Sequence, residues 1–322
     1  MQRRRPFPVP SRQARPLTGR SASPTFGATM RRIRAPEGNG VLRDAIVSAL
    51  RFAATSVPRE VEGALHEARD REEGTAREEL SAILENLEVA RRQGAPLCQD
   101  TGVPAFHVRA GASSPHLPVL REAILGAVAE ATRSVPLRPN AVHPLTGVNS
   151  GTNLGWGVPI VRWEVVDGDE VLITLSLKGG GSENQSAVRM LSPGAGLAGV
   201  KRAVVEHVIS AGGAPCPPTV IGVGIGGGAA VALTLAEQAL LRRLGERNAD
   251  PALAALEEEL LSLVNETGVG PMGLGGRTTA LDVRVEAAFR HPASLPVGIL
   301  LQCWAVRRAW VRLRAGGSIE VS

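Results

Sequence analysis

Ile160-Val161-Arg162-Trp163-Glu164-Val165-Val166-Asp167-Gly168-Asp169-Glu170-Val171-Leu172-Ile173-Thr174-Leu175-Ser176-Leu177 is where the chain changes its period. Val, Ile, Thr and Trp crowd both halves, the side chains that fit a pleated surface, and Asp167-Gly168 offers the positive φ a tight turn requires, so strands at 160–166 and 171–177 are expected as a hairpin. Upstream the spacing is helical: Leu42, Ala45, Ile46, Ala49, Leu50 and Ala53, then Leu80, Ile83, Leu84 and Leu87 before Gly94, then Val119, Leu120, Ala123, Ile124, Ala127 and Val128 before Pro136. A polar loop runs from Arg138-Pro139-Asn140 to Asn153. Downstream, helices are expected at 198–211, 229–243 and 252–266, and strands at 219–225, 280–286 and 297–302, with no internal repeat. The fold class is therefore α+β: a helical N-terminal part, then mixed or antiparallel sheets flanked by helices.

Charge is unevenly spread. The 322 residues carry 36 Lys and Arg against 31 Asp and Glu, for a formal net charge of +5. Residues 1–36 hold nine arginines and no acid, so the remainder is net acidic. Rich in Pro, Ser and Gly without an apolar period, residues 1–36 are expected as a disordered basic extension rather than a nucleic-acid-binding face. A single domain over 37–315 and a tail at 316–322 complete the expected organisation. No apolar stretch follows Arg3-Arg4-Arg5, as a secretory signal would require. Between Glu206 and Glu237 the chain carries no formal charge, but Gly212-Gly213, Pro215 and Pro217-Pro218 break any helix long enough to span a bilayer. A cytoplasmic protein without membrane or nucleic-acid partners is expected.

Cys98, Cys216 and Cys303 are the only cysteines. They form neither a C-x₂₋₄-C zinc knuckle nor the even count of a disulfide framework. Spacing alone leaves two readings: three unrelated buried thiols, or three thiolates from distant segments around a soft metal centre with one metal position open. The neighbours add chemistry. Cys98-Gln99-Asp100-Thr101-Gly102 sets thiol, amide and carboxylate side by side, and Lys178-Gly179-Gly180-Gly181-Ser182-Glu183-Asn184 lets backbone amides approach an anion. Cys216-Pro217-Pro218 precedes the glycine run Gly222–Gly228, Gly270–Thr279 is a second glycine-rich loop, and His291-Pro292-Ala293-Ser294-Leu295-Pro296 leads into Gln302-Cys303-Trp304-Ala305.

Together CQDTG (98–102), KGGGSEN (178–184), CPP (216–218) before GVGIGG (222–227), GPMGLGGRTTALDV (270–283) and HPASLPV (291–297) before CWA (303–305) resemble the iron–sulfur class of fumarate hydratase, the class I fumarases with their tartrate dehydratase relatives. The likeness runs from about residue 40 to about 310, and KGGGSEN and GLGGRTT look more like the fumarase branch. It implies that Cys98, Cys216 and Cys303 hold a 4Fe–4S cluster whose fourth iron binds substrate. It also implies that this chain is the α subunit of a two-chain form, with a separate β subunit in an α2β2-type heteromer. Ala229-Ala230, where relatives often carry an acid, and Val306, where some carry histidine, depart from the pattern.

Adding water across a double bond beside a carboxylate requires a Lewis acid, a base for the carbon-bound proton, and cations for two carboxylates. Within the matching motifs Asp100 and His291 are the acid–base candidates. Gln99, Arg138, Lys178 and the amides of Gly179 and Gly180 are the substrate-binding candidates, and Arg277 is a further cation whose glycine loop also suits a structural role. Asp100 also fits a turn residue capping local amides, and His291 a polar residue set by Pro292. Two other functions remain open. Gly222-x-Gly224-x-x-Gly227 matches a dinucleotide fingerprint and suggests an NAD(P)-dependent oxidoreductase, although Glu246 falls in helix-end sequence where a strand-end acid is needed. A non-catalytic iron–sulfur scaffold subunit is the other. Arg307-Arg308 offers candidate clamp residues, but near the C-terminus the pair reads rather as solvated surface charge, and Trp304 and Trp310 read as core or interface.

Overall fold

The computed structural model describes residues 33–34, 39–314 and 316–322. Apart from Ile33–Arg34, the extension expected over 1–36 lies outside the described residues. In chain order the elements begin with β1 (Ile33–Arg34), α1 (Asn39–Thr55), α2 (Arg59–Arg71), α3 (Gly74–Gln93), β2 (Val103–Gly111) and α4 (Leu117–Ser134). Then come β3 (Ile160–Val166), β4 (Val171–Lys178), α5 (Gly180–Glu183), β5 (Ala187–Leu191), α6 (Gly196–Ala211) and β6 (Thr219–Gly227). The chain finishes with α7 (Ala229–Leu241), α8 (Pro251–Asn265), β7 (Ala280–Arg290), β8 (Leu295–Gln302), β9 (Arg308–Leu313) and β10 (Ser318–Val321). The α+β expectation holds, as does every helix and strand read from periodicity.

Two sheets organise these elements. The larger has the order β1-β10-β9-β4-β2-β3 and the smaller β5-β8-β6-β7. On the larger, Phe106, Val108 and Ala110 of β2, Ile173 and Leu175 of β4 and Val311 of β9 pack under the apolar faces of α1 and α4. On the smaller, Ile221, Val223, Val283, Val297 and Ile299 pack under α6 and α8. α7 lies between the two sheets. Its backbone rests on glycines of the smaller one, since a Cβ on Gly222 would stand 2.1 Å from the Ala236 carbonyl oxygen and one on Gly224 2.0 Å from that of Ala232. Its Glu237 reaches the other way, to His107 Nε2 at 3.0 Å and Arg162 Nε at 2.5 Å on the larger sheet. A third core of α2 and α3 side chains takes in Leu97, Val220, Trp304 and Val306, with Cys216 and Cys303 packed on it.

The hairpin expected at Asp167-Gly168 does not form. β2 lies between the two strands, parallel to β3 (Ala105↔Ile160) and antiparallel to β4 (Val103↔Lys178). Inserting β2 buries its apolar face on the α1–α4 core and satisfies its backbone on both edges, which outweighs a local turn. The Asp167-Gly168 connection wraps the end of β2 instead: Gly111 N–H donates to Glu170 O at 2.8 Å and Ser113 N–H to Gly168 O at 2.9 Å. Residues 316–322, expected as a tail, contain β10, which pairs with β9 (Val321↔Val311).

Candidate active site

Strand polarity brings the motifs together. Thr101 precedes β2, Gly179 follows β4 and Arg307 precedes β9, and the registers Val103↔Lys178 and Ser176↔Arg308 set all three at one end of the larger sheet. Cys216 precedes β6 and Cys303 follows β8, and Val220↔Gln302 sets both at one end of the smaller sheet. Residues 303–307 carry the chain from one sheet to the other, so the two ends share a border.

Each cysteine is held by its loop. α3 stops at Gly94, in the left-handed region at φ 65°, where only glycine is at ease. The following turn is tied down by Leu97 N–H to Ala54 O (2.9 Å) and Asn86 Nδ2 to Leu97 O (2.9 Å), which leaves Cys98 exposed. Cys216 itself has φ 54°, uncommon for a residue with a Cβ and typical of positions held for function. The Trp304 N–H donates to its carbonyl at 3.2 Å, so the second and third cysteine loops are joined directly. Burial pushes the Cys216 thiol up, and the negative charges of Cys98 and Asp100 push it further. Burial also pushes Cys303 up; Arg307 opposes it, and Cys216 and Cys98 add to it. Cys303 thus feels both other thiols and Cys216 feels that of Cys98, which sets the three loops within electrostatic reach of one another. Among the described residues no three His, Cys, Asp or Glu side chains converge on a single ion. A soft thiolate trio with the positive charge of Arg307 near Cys303 has the donor chemistry that an iron–sulfur group takes.

Each carboxylate oxygen of Asp100 accepts one backbone bond. Its Oδ1 accepts from Gly102 N–H at 3.0 Å and its Oδ2 from Gly180 N–H at 2.7 Å, while Arg307 Nη1 donates to its carbonyl. The Gly180 amide is thus spent on a protein carboxylate rather than offered to a ligand. Gly179 is buried, Gln99 is exposed, and Arg138 is exposed with Nη1 3.5 Å from the Gln99 carbonyl and its N–H on Thr101 Oγ1 at 2.9 Å. Lys178 Nζ pairs with Glu183 Oε2 at 2.5 Å. Cys98, Cys216, Cys303, Gln99, Asp100, Arg138, Lys178, Gly179 and Gly180 therefore share one region.

His291 does not join them within the chain. It is exposed in the turn before β8, whereas Cys303 follows the end of that strand. Eight residues of strand separate the two by roughly 25 Å. Arg277 is structural: Nη1 donates to Arg71 O at 2.8 Å, Nη2 pairs with Glu73 at 3.2 Å, and the amides of Arg277 and Thr278 donate to the buried Glu72 carboxylate. The surface reading of Arg307 and Arg308 is overturned, since they are 3% and 2% exposed. Burial pushes Arg308 down to about 9, which leaves it charged at neutral pH, and its Nη1 donates to the Leu240 and Arg242 carbonyls at the end of α7. Trp304 is core, as expected, and Trp310 stacks under Arg243 and Arg308 at 5.0 Å each. The dinucleotide reading fails on geometry: Gly222 and Gly224 lie inside β6 against α7, not in a turn open to a pyrophosphate.

The fumarate hydratase (Fumerase) family profile matches residues 43–312. A Methanocaldococcus jannaschii protein provisionally named L(+)-tartrate dehydratase subunit alpha is 48% identical, over 85% of this chain and 98% of its own length. The L(+)-tartrate dehydratase subunit alpha of Escherichia coli (strain UTI89 / UPEC) is 35% identical over 87% of this chain and 93% of its own. A Geobacillus stearothermophilus protein provisionally named fumarate hydratase class I is 37% identical over 81% of this chain, which spans 52% of that longer relative. With a family profile covering most of its length and relatives of this identity along nearly all of theirs, the chain belongs to the fumarate hydratase (Fumerase) family of hydro-lyases.

Proposed function

We propose that this chain is the α subunit of an iron–sulfur hydro-lyase that adds water reversibly to a four-carbon unsaturated dicarboxylate, fumarate and malate first. The observation that carries the reading is the meeting of three cysteine loops, the Asp100 carboxylate and the buried Arg307 at one border between the sheets, in a chain of this family. Cys98, Cys216 and Cys303 would hold a 4Fe–4S cluster. That group, when bound, supplies a Lewis acid for the substrate hydroxyl. The chain's own residues do the rest. Asp100, fixed by two amides, holds or accepts the proton at its carboxylate, and Arg138 and Gln99 on the exposed rim orient a substrate carboxylate. Lys178 joins them when its pairing with the exposed Glu183 is exchanged for substrate.

L-tartrate is the second reading, favoured by the 48% identical relative named for it. Relatives of this chain's length are named subunit alpha, which supports a separate β subunit in an α2β2-type assembly. His291 contributes only where assembly brings it to a site, because its own chain holds it at the far end of β8. Among the described residues no helix is long and apolar enough to cross a membrane, and the three free thiols suit a reducing cytoplasm.

The test is anaerobic purification with iron and sulfide analysis, then hydration assays with fumarate and dehydration assays with L-malate and L-tartrate, with and without a β-type chain at equal cluster content. About four irons per chain, and turnover only in the complex, are expected. Absence of iron, or turnover at the full rate by this chain alone, would sink the corresponding half of the reading.

A further inference from the structure

We propose that Arg307 is a positioning residue: it locks the Cys98–Gly102 loop against Gly179 and Gly180 and so fixes the Asp100 carboxylate, and Gly179 is glycine to leave room for that lock. The proposal rests on the reading of Asp100 as the acid–base group.

Arg307 is 3% exposed and its backbone is pinned on both sides, with its N–H on Ala305 O at 2.7 Å and its carbonyl accepting from Leu177 N–H at 3.0 Å. Its guanidinium is thereby delivered to one place. Nη1 donates to the Asp100 carbonyl, and Nε is buried with no hydrogen-bond partner among the described residues. A Cβ built on Gly179 would lie 2.9 Å from Arg307 Nη2 and 2.9 Å from Asp100 Oδ2. Guanidinium and carboxylate therefore converge over the bare Cα of Gly179. The backbone there does not call for glycine, because φ −79° and ψ 150° suit any residue. What excludes a side chain is space, and the space is filled by the two groups the lock joins. One residue further, the Gly180 amide closes on the same Asp100 oxygen at 2.7 Å. Three neighbouring strands, β2, β4 and β9, thus each supply one part. A forked guanidinium can donate to the carbonyl and face the carboxylate together, which a lysine's single ammonium does less well. Misplacing a proton-transfer group by about 1 Å costs on the order of 10²-fold in rate.

The experiment uses the full chain with Arg307→Gln, Arg307→Lys and Gly179→Ala. In the metal-free chain, amide hydrogen exchange is followed in peptides covering Gly102 and Gly180. Both amides should exchange at least about tenfold faster in Arg307→Gln and Gly179→Ala, and less so in Arg307→Lys, while amides inside β4 keep their protection. In the iron-loaded complex with a β-type chain, kcat should fall on the order of 10²-fold with KM little changed, and Arg307→Lys should recover part of the loss. Wild-type exchange at Gly102 and Gly180 in Arg307→Gln would overturn the proposal. If that variant does not fold, wild-type exchange in Gly179→Ala, whose backbone suits alanine, overturns it equally. Loss of activity that only follows a loss of folded protein would reduce Arg307 to a structural residue. Exchange is read without metal, so a complex lacking iron would sink the hydro-lyase reading and leave the lock standing.

Discussion

At the scale of single residues, Asp100 shows how much a carboxylate's neighbours decide. It accepts from two backbone amides and carries an arginine on its carbonyl, so its orientation is set by the chain itself. Asp100→Asn keeps the size but puts a donor NH₂ where an acceptor is needed. We expect kcat to fall by about 100-fold or more with cluster content unchanged, checked by anaerobic assay against iron analysis. A wild-type rate would move the acid–base role elsewhere. The cysteines predict a different pattern. Three thiolates are the fewest protein ligands expected for a cubane with an open iron, so each single Cys→Ser exchange at 98, 216 or 303 should leave a labile or fragmentary cluster. Iron and sulfide content after reconstitution decides this, and full retention in any variant removes that cysteine from the site.

At the scale of elements, glycine does two unlike things in this chain. In β6, Gly222 and Gly224 remove side chains so that α7 can lie on the strand, with a Cβ on either meeting carbonyl oxygen at about 2 Å. Gly224→Ala should therefore cost roughly 1–3 kcal/mol, because neither strand nor helix backbone can yield cheaply. Denaturant unfolding measures it, and an unchanged midpoint would show that α7 shifts freely. The loop at Gly270–Thr279 uses its amides as an anion site whose anion is internal: Glu72, buried at the end of α2, accepts from Arg277 and Thr278. Glu72→Gln offers one oxygen for three such bonds and sets an NH₂ against an amide donor. About 1–3 kcal/mol of stability should be lost, with the CPP loop loosened because Met272 N–H donates to Pro217 O at 2.8 Å.

For the whole molecule, α7 joins the two sheets, tied to the larger one by Glu237 and by Arg308 of β9, which donates to the Leu240 carbonyl. Burial pushes the Glu237 carboxyl up, but the hydrogen bond and charge of His107, with the charges of Arg162 and Lys178, outweigh burial and hold it below its ordinary value of 4.5. A lowered carboxylate pKa contributes stability that is complete above the unfolded-state value and is lost as pH falls through the folded-state one. Glu237→Gln should therefore be less stable than wild type by about 1–3 kcal/mol near neutral pH. The difference should close as the solution is made acid, below pH 4.5, the ordinary value of this group. Parallel thermal unfolding curves of the two proteins across pH read this out; a gap that persists unchanged into acid would show that the carboxylate's charge is not what holds the sheets.

Periodicity and local chemistry were enough for α1, α3, α4 and α6–α8, for β3, β4 and β6–β8, and for the three cysteine loops, because a helical or alternating apolar face is written in neighbouring residues. α2 is not legible in this way, although Val61, Leu65 and Ala68 keep helical spacing, because the charges around them dilute the apolar signal. β9 is masked by the charges of Arg307 and Arg308 at its start, although Ala309, Val311 and Leu313 alternate as a strand requires. What the sequence determined by itself is those periodic elements and the family resemblance. Only the tertiary structure decided that β2 separates β3 from β4, that two arginines are buried, that the glycine run serves helix packing, and that His291 and Cys303 stand at opposite ends of β8. Strand order and the end at which a loop emerges depend on contacts between segments far apart in the chain, which no local pattern encodes.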